Sequence, residues 1–107
     1  MTEVKFFGQE NKITGFEISG HSTKSCDDFD GKLVCSSISS AAYLTANTLI
    51  EVIGAEVDVE IDDGDGFMSV KLKTMLDESQ ITMKGLLIHL SELAKQYRKY
   101  LKVYSEV

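Results

Sequence analysis

A chain of 107 residues with 43% hydrophobic and 26% charged side chains has the composition of one packed domain, which excludes multidomain, solenoid and disordered architectures. Its 17 acidic against 11 basic side chains give a net charge of −6, so neutralising phosphates is not its main task, and a basic partner suits it better than nucleic acid. No window of about 18 consecutive apolar residues is read in it, and Met1 to Phe7 carries no leader pattern; a cytoplasmic protein without a membrane segment is expected. Two cysteines, Cys26 and Cys35, are too few for a disulfide scaffold and lack the spacing of zinc or thioredoxin-type sites, so both are expected as thiols.

In chain order, Glu3 to Phe7 and Lys12 to Ser19 are short aromatic and β-branched runs separated by turn formers, which predicts a hairpin. Residues 20 to 32 are small and polar, and predict a long mobile loop. From Val34 the apolar residues recur at Ile38, Ala42, Thr45, Leu49 and Val52 or Ile53 before Gly54, so a helix is predicted over 35–53. Val57, Val59 and Ile61 then alternate with Asp58, Glu60 and Asp62, the period of a strand with one face in the core. The tract Asp63-Gly64-Asp65-Gly66 is a tight turn, and Phe67 to Leu72 returns as a second strand. Met83, Leu87, Leu90, Ala94, Tyr97, Leu101 and Tyr104 fall on one helical face, predicting a long helix over 78–104 capped by Asp77 or Ser79. The order strand, strand, helix, strand, strand, helix is α+β: one domain over 1–107, with helices packed on an antiparallel sheet.

The strongest chemical signal is His21 with Cys35. A thiol attacks a carbonyl carbon only as the thiolate, and a free thiol with a pKa of about 8.5 is mostly protonated at neutral pH. Placed where the helix is predicted to begin, Cys35 would have unpaired N–H groups and the positive end of the dipole beside its sulfur, and those N–H groups would serve as an oxyanion hole. His21, after Gly20 at the exit of a strand, is placed to take the proton. The small residues after Cys35, Ser36 and Ser39 among them, leave room for a substrate backbone.

The stretches Ile18-Ser19-Gly20-His21-Ser22 and Leu33-Val34-Cys35-Ser36-Ser37-Ile38-Ser39 together resemble the paired signature of the ribosomal-processing cysteine protease Prp family. There, a Gly-His-(Ala or Ser) element and an (Ile or Leu)-Val-Cys-(Ala or Ser)-x-x-Ser element flank a variable loop. The element order resembles that family's fold across nearly the whole chain. The resemblance implies a cysteine endopeptidase that removes the N-terminal extension of large-subunit ribosomal protein twenty-seven, cutting after a pair of bulky residues. It implies Cys35 as nucleophile, His21 as general base, Ser39 as an orienting serine, a homodimer, and no metal or organic cofactor. One departure stands out: the family's usual aspartate three residues before the cysteine is Lys32 here. Asp27, Asp28 or Asp30 are the candidates to orient the imidazole in its place, unless a Cys–His dyad suffices or the Lys32 cation itself favours the thiolate. Lying between base and nucleophile, the loop would close over the substrate, with Phe29 lining a pocket for a bulky side chain or anchoring the loop.

Two further classes compete with the protease: a non-catalytic assembly factor that binds the same ribosomal protein, and a redox sensor pairing Cys26 with Cys35. The acidic run from Glu56 to Asp65 fails the EF-hand pattern, because placing Gly66 at position six puts Ile61 at position one and Leu72 at position twelve. It is expected to be a solvated strand face that attracts a basic protein. His89 is expected at a surface boundary, and Lys95, Arg98, Lys99 and Lys102 to complement the end of the last helix. Tyr97, Tyr100 and Tyr104 are expected as core or dimer contacts.

Overall fold

Glu10 and Asn11, both at positive φ (55° and 65°), reverse β1 (Thr2–Gln9) onto β2 (Lys12–Ser19), in the sense that matches the twist of paired strands. The structure, a computed structural model, describes residues 1–21, 28–64 and 66–107. After β2 come α1 (Phe29–Asn47), a π-helical segment Thr48–Ile53 that continues it, β3 (Val57–Asp62), β4 (Phe67–Leu72), α2 (Asp77–Gln96) and β5 (Leu101–Ser105). The strand order is β3-β4-β2-β1-β5. The expected hairpins are antiparallel, while β5 lies parallel to β1.

The fold class is the α+β arrangement read from the sequence, with a fifth strand added. The predicted final helix stops at Gln96, and Arg98 to Tyr100 form a turn. Tyr97, Leu101 and Tyr104 do fit a helical period, but Leu101 and Val103 also fit a strand period. Extending the chain pairs the otherwise open edge of β1, residue against residue from Thr2 with Leu101, and buries Leu101 to 1% exposure. A further helical turn rich in Lys and Arg offers neither gain. Of the four basic residues assigned to a helix end, only Lys95 stands in the last turn.

The other boundary that differs is the start of α1, at Phe29 and not at residue 35. Asp28 is its N-cap: the carboxylate accepts from the Gly31 N–H at 3.1 Å, and the Asp28 carbonyl accepts from the Lys32 N–H at 3.1 Å. Gly31 and three charged residues make this stretch read as loop, yet the cap satisfies the first helical N–H groups and the turn forms. The part of the predicted loop at 22–27, including Cys26 and Asp27, lies outside the described residues. At its other end α1 runs through the π segment to Gly54 at φ 74°, a left-handed cap that favours glycine.

Packing explains why the chain takes this shape. Val34, Ile38, Ala42, Ala46 and Leu49 from the first helix and Met83, Leu86 and Leu90 from α2 meet Val4, Phe6, Ile13, Phe16, Ile18, Met68 and Val70 of the sheet in one buried cluster. Phe29–Ile53 is long and apolar enough, by length and composition, to cross a membrane, contrary to the reading that no such window exists. Its stripe buried against the sheet makes it the core helix. Gln80 ties α2 to β2 through two bonds with Ile13, Nε2 donating to the carbonyl at 2.7 Å and the N–H donating to Oε1 at 2.8 Å. The cap of α2 is Leu76, with no side-chain bond, and neither Asp77 nor Ser79 caps it; Ser79 is fully buried.

One strand departs from its expected burial. β3 is one of the two edge strands of the sheet, and Val59 and Ile61, expected in the core, are 38% and 47% exposed. The alternation is real, but the helices do not cover this edge, so an apolar strand face is left beside α1.

Candidate active site

Two of the residues singled out in the sequence, His21 and Cys35, line the same cleft of about 170 Å3. Three walls build it. α1 presents Cys35, Ile38, Ser39, Ala42 and Tyr43; the end of β2 presents Ile18, Gly20 and His21; the β3–β4 hairpin presents Ile61, Asp63, Gly66, Phe67 and Met68. Thr2, only 2% exposed, closes it where β1 begins. The residues 35, 38, 39 and 42 share one helix face because they recur at intervals of three and four.

Cys35 is half-buried and is the seventh residue of α1. The expected role of its neighbouring N–H groups as an oxyanion hole is therefore overturned. The Lys32 N–H is already bonded to the Asp28 carbonyl, so the ladder is closed from there onward and the Cys35 N–H is spent inside the helix. What α1 contributes at this point is the side chain. Ser39 stands one turn further along the same cleft, whereas Ser36 faces a different hollow, between α1 and α2. Phe29 is 75% exposed on the first turn and lines neither.

His21 is exposed and held at the surface by two glycines. Gly20 has φ +87°, and a Cβ there would stand 2.5 Å from the Met1 carbonyl oxygen. Gly66 has φ +62°, and a Cβ there would stand 2.7 Å from the Gly20 carbonyl oxygen, 2.7 Å from His21 Cε1 and 2.9 Å from Nε2. The imidazole thus lies against the bare backbone of the hairpin turn, and any side chain at Gly66 would displace it. From the sequence, Gly66 is legible as a turn residue; nothing there says which side chain rests on it.

Among the described residues, the carboxylate that lines the cleft is Asp63, a turn residue by its sequence. Asp28 is engaged elsewhere, accepting from Gly31 and from the Tyr100 hydroxyl at 3.1 Å each. Asp30 and Lys32 lie exposed on the first turn of α1, outside the cleft lining. The rest of the lining is largely apolar: Ile18, Ile38, Ala42, Ile61, Phe67 and Met68 form a trough beside the polar pair. The larger hollow of about 680 Å3 between α1 and α2 holds His89 as its one ionisable side chain. Among the described residues that line it, no thiol stands beside an imidazole as Cys35 and His21 do in the smaller cleft.

A model of the family described as Cysteine protease Prp matches residues 1–102. The chain belongs to the cysteine protease Prp family. It is accordingly a cysteine protease. The ribosomal processing cysteine protease Prp of Bacillus subtilis (strain 168) is 23% identical over 100 residues, covering 89% of this chain and 88% of that protein. Prp from S. aureus, a ribosomal processing protease solved in complex with a covalently linked product peptide, superposes with a TM-score of 0.86 at 22% identity, over 99% of this chain and 100% of that one. The same protease in complex with a substrate peptide gives 0.87 at 20% identity over the same shares, and a Streptococcus mutans protein gives 0.88 at 18%, over 98% and 93%. The Prp fold is thus shared in full at low identity, and the motif residues Gly20, His21, Cys35 and Ser39 converge on one cleft of it.

Proposed function

We propose that this Prp-family protease is a cytoplasmic endopeptidase that removes the N-terminal extension of large-subunit ribosomal protein twenty-seven during ribosome assembly, with Cys35 as nucleophile and His21 as general base. The observation that carries the reading is the convergence of His21 and Cys35 on one cleft with an apolar trough beside them. The Cys35 sulfur attacks the scissile carbonyl carbon as its proton passes to His21. The imidazolium returns that proton to the leaving amine, and a water deprotonated by His21 then hydrolyses the thioester. The trough of Ile18, Ile38, Ile61, Phe67 and Met68 takes the bulky side chains that precede the cut. The substrate and covalently linked product peptides bound by S. aureus Prp support a peptide substrate and a covalent route.

The assembly implied by the family is a homodimer. Leu44, Ile81 and Ile88, exposed at 68%, 73% and 63%, supply apolar surface for it on the two helices. Light scattering of the purified protein should give twice the monomer mass.

Mass spectrometry of the ribosomal-protein precursor, incubated with wild type or with Cys35→Ala, tests substrate and nucleophile together. A single N-terminal cut made by the wild type alone is expected. A precursor bound but left whole by both would replace the reading with a non-catalytic assembly factor, for which Lys32 in place of the family aspartate is the motivating feature.

A further inference from the structure

The first turn of α1 is weakly held by packing. Phe29, Asp30, Lys32 and Leu33 are exposed, and only Gly31 and Val34 are buried before Cys35. Among the described residues, this turn is tied to the body by a hydrogen bond across 72 positions of sequence: the Tyr100 hydroxyl donates to Asp28 Oδ1 at 3.1 Å, the same oxygen that accepts from the Gly31 N–H at 3.1 Å. Tyr100 stands in the turn between α2 and β5, and its carbonyl accepts from the Thr2 N–H at 2.9 Å. One residue thus joins the cap of the helix that carries Cys35 to the first residue of β1, which closes the floor of the cleft.

We infer that Tyr100 is a positioning residue for the cleavage reaction: its hydroxyl holds the Asp28 cap of α1 at the root of β5 and so sets where Cys35 stands in the cleft. The inference rests on Cys35 being the nucleophile. A hydrogen bond to a carboxylate is among the stronger neutral-to-charged kind, and this one acts at the end of an unbroken helical ladder leading to Cys35 within two turns. Small displacements of a nucleophile are costly because attack requires near-contact geometry. The surroundings favour the intact phenol. Partial burial first, then the hydrogen bond to Asp28, then the charges of Asp28 and Asp30 hold the Tyr100 hydroxyl above its ordinary pKa, so it remains a donor at neutral pH.

The test compares Tyr100→Phe, which keeps the ring and removes only the hydroxyl, with Asp28→Asn, which keeps a capping side chain, and with the double variant. Amide hydrogen exchange at Gly31 and Lys32 should quicken roughly tenfold in Tyr100→Phe, while the core amides of Val4 and Phe16 keep their protection. Cleavage of the precursor should lose roughly fivefold to tenfold in kcat with KM nearly unchanged, the mark of a misplaced reacting group and not of lost binding. The double variant should be no worse than Tyr100→Phe alone. Unchanged exchange at Gly31 and Lys32, a kcat equal to wild type, or additive losses would each overturn the inference. Should the wild type fail to cut the precursor, the function proposed above falls separately. The rate of Cys35 alkylation by iodoacetamide then decides this inference: a change in Tyr100→Phe supports the positioning role, and an identical rate overturns it.

Discussion

Two hollows flank α1, and their difference separates size from chemistry. The larger, about 680 Å3, is lined by Ser36, Ser40, Leu44 and residues of α2; the smaller, about 170 Å3, holds Cys35 and His21. Both draw on the same helix, and neighbouring positions, Cys35 and Ser36, fall on opposite sides of it because successive residues turn by about 100°. The smaller hollow brings together a thiol, an imidazole and a carboxylate, between an apolar floor and a glycine turn. The larger one is a seam between two helices, with small residues on both walls.

This contrast predicts different responses to substitution. The largest effect is expected for Cys35→Ala, which should abolish precursor cleavage, while Ser36→Ala, one residue away, should retain wild-type kcat/KM. A loss at Ser36 comparable to that at Cys35 would erase the distinction between the hollows. Next comes Gly66→Ala, for which the Cβ collides with the His21 ring and the Gly20 carbonyl. A drop of roughly a hundredfold in kcat/KM is expected from a displaced base, and wild-type rates would show that the imidazole works from another position.

Smaller effects concern stability. In the larger hollow, Gly85 is exposed in the middle of α2, and a Cβ there meets nothing within 4 Å. Gly85→Ala should therefore stabilise by about 1 kcal/mol, as helix propensity dictates, with cleavage unchanged; denaturant melts of the two proteins give the comparison. The smallest effect is a pH dependence at Tyr100, whose phenol is held above the ordinary 10.0. The folded state then keeps this proton at pH values where the unfolded chain has released it, so stability falls as pH rises above 10. Tyr100→Phe should lack that component, and identical melting profiles for both proteins across this range would remove it.

Much of the cleft was readable from residues. Gly20-His21 after an alternating strand and Cys35 on an apolar-periodic segment are local patterns; their spacing alone is a weak signal, and it is the resemblance of the two motifs to the Prp signature that points to one chemistry. Less readable was everything that comes from distant chain segments. Asp63 and Gly66 are ordinary turn residues until β4 folds against β2 and brings the hairpin turn to His21. Ile61, expected in the core, becomes cleft wall because β3 ends up at the edge of the sheet.

The sequence by itself determined the α+β class, both hairpins, the apolar stripe of each helix and the pairing of His21 with Cys35 as the candidate site. These follow from periods of two and 3.6 residues and from the chemistry of single side chains. Tertiary structure alone decided where α1 begins, where α2 ends and what surrounds the imidazole. The Asp28 cap is confirmed by a tyrosine 72 positions away, and β5 exists because β1 offers an open edge to it. Such choices depend on hydrogen-bond partners that are neighbours only after folding, and no local window of sequence contains them.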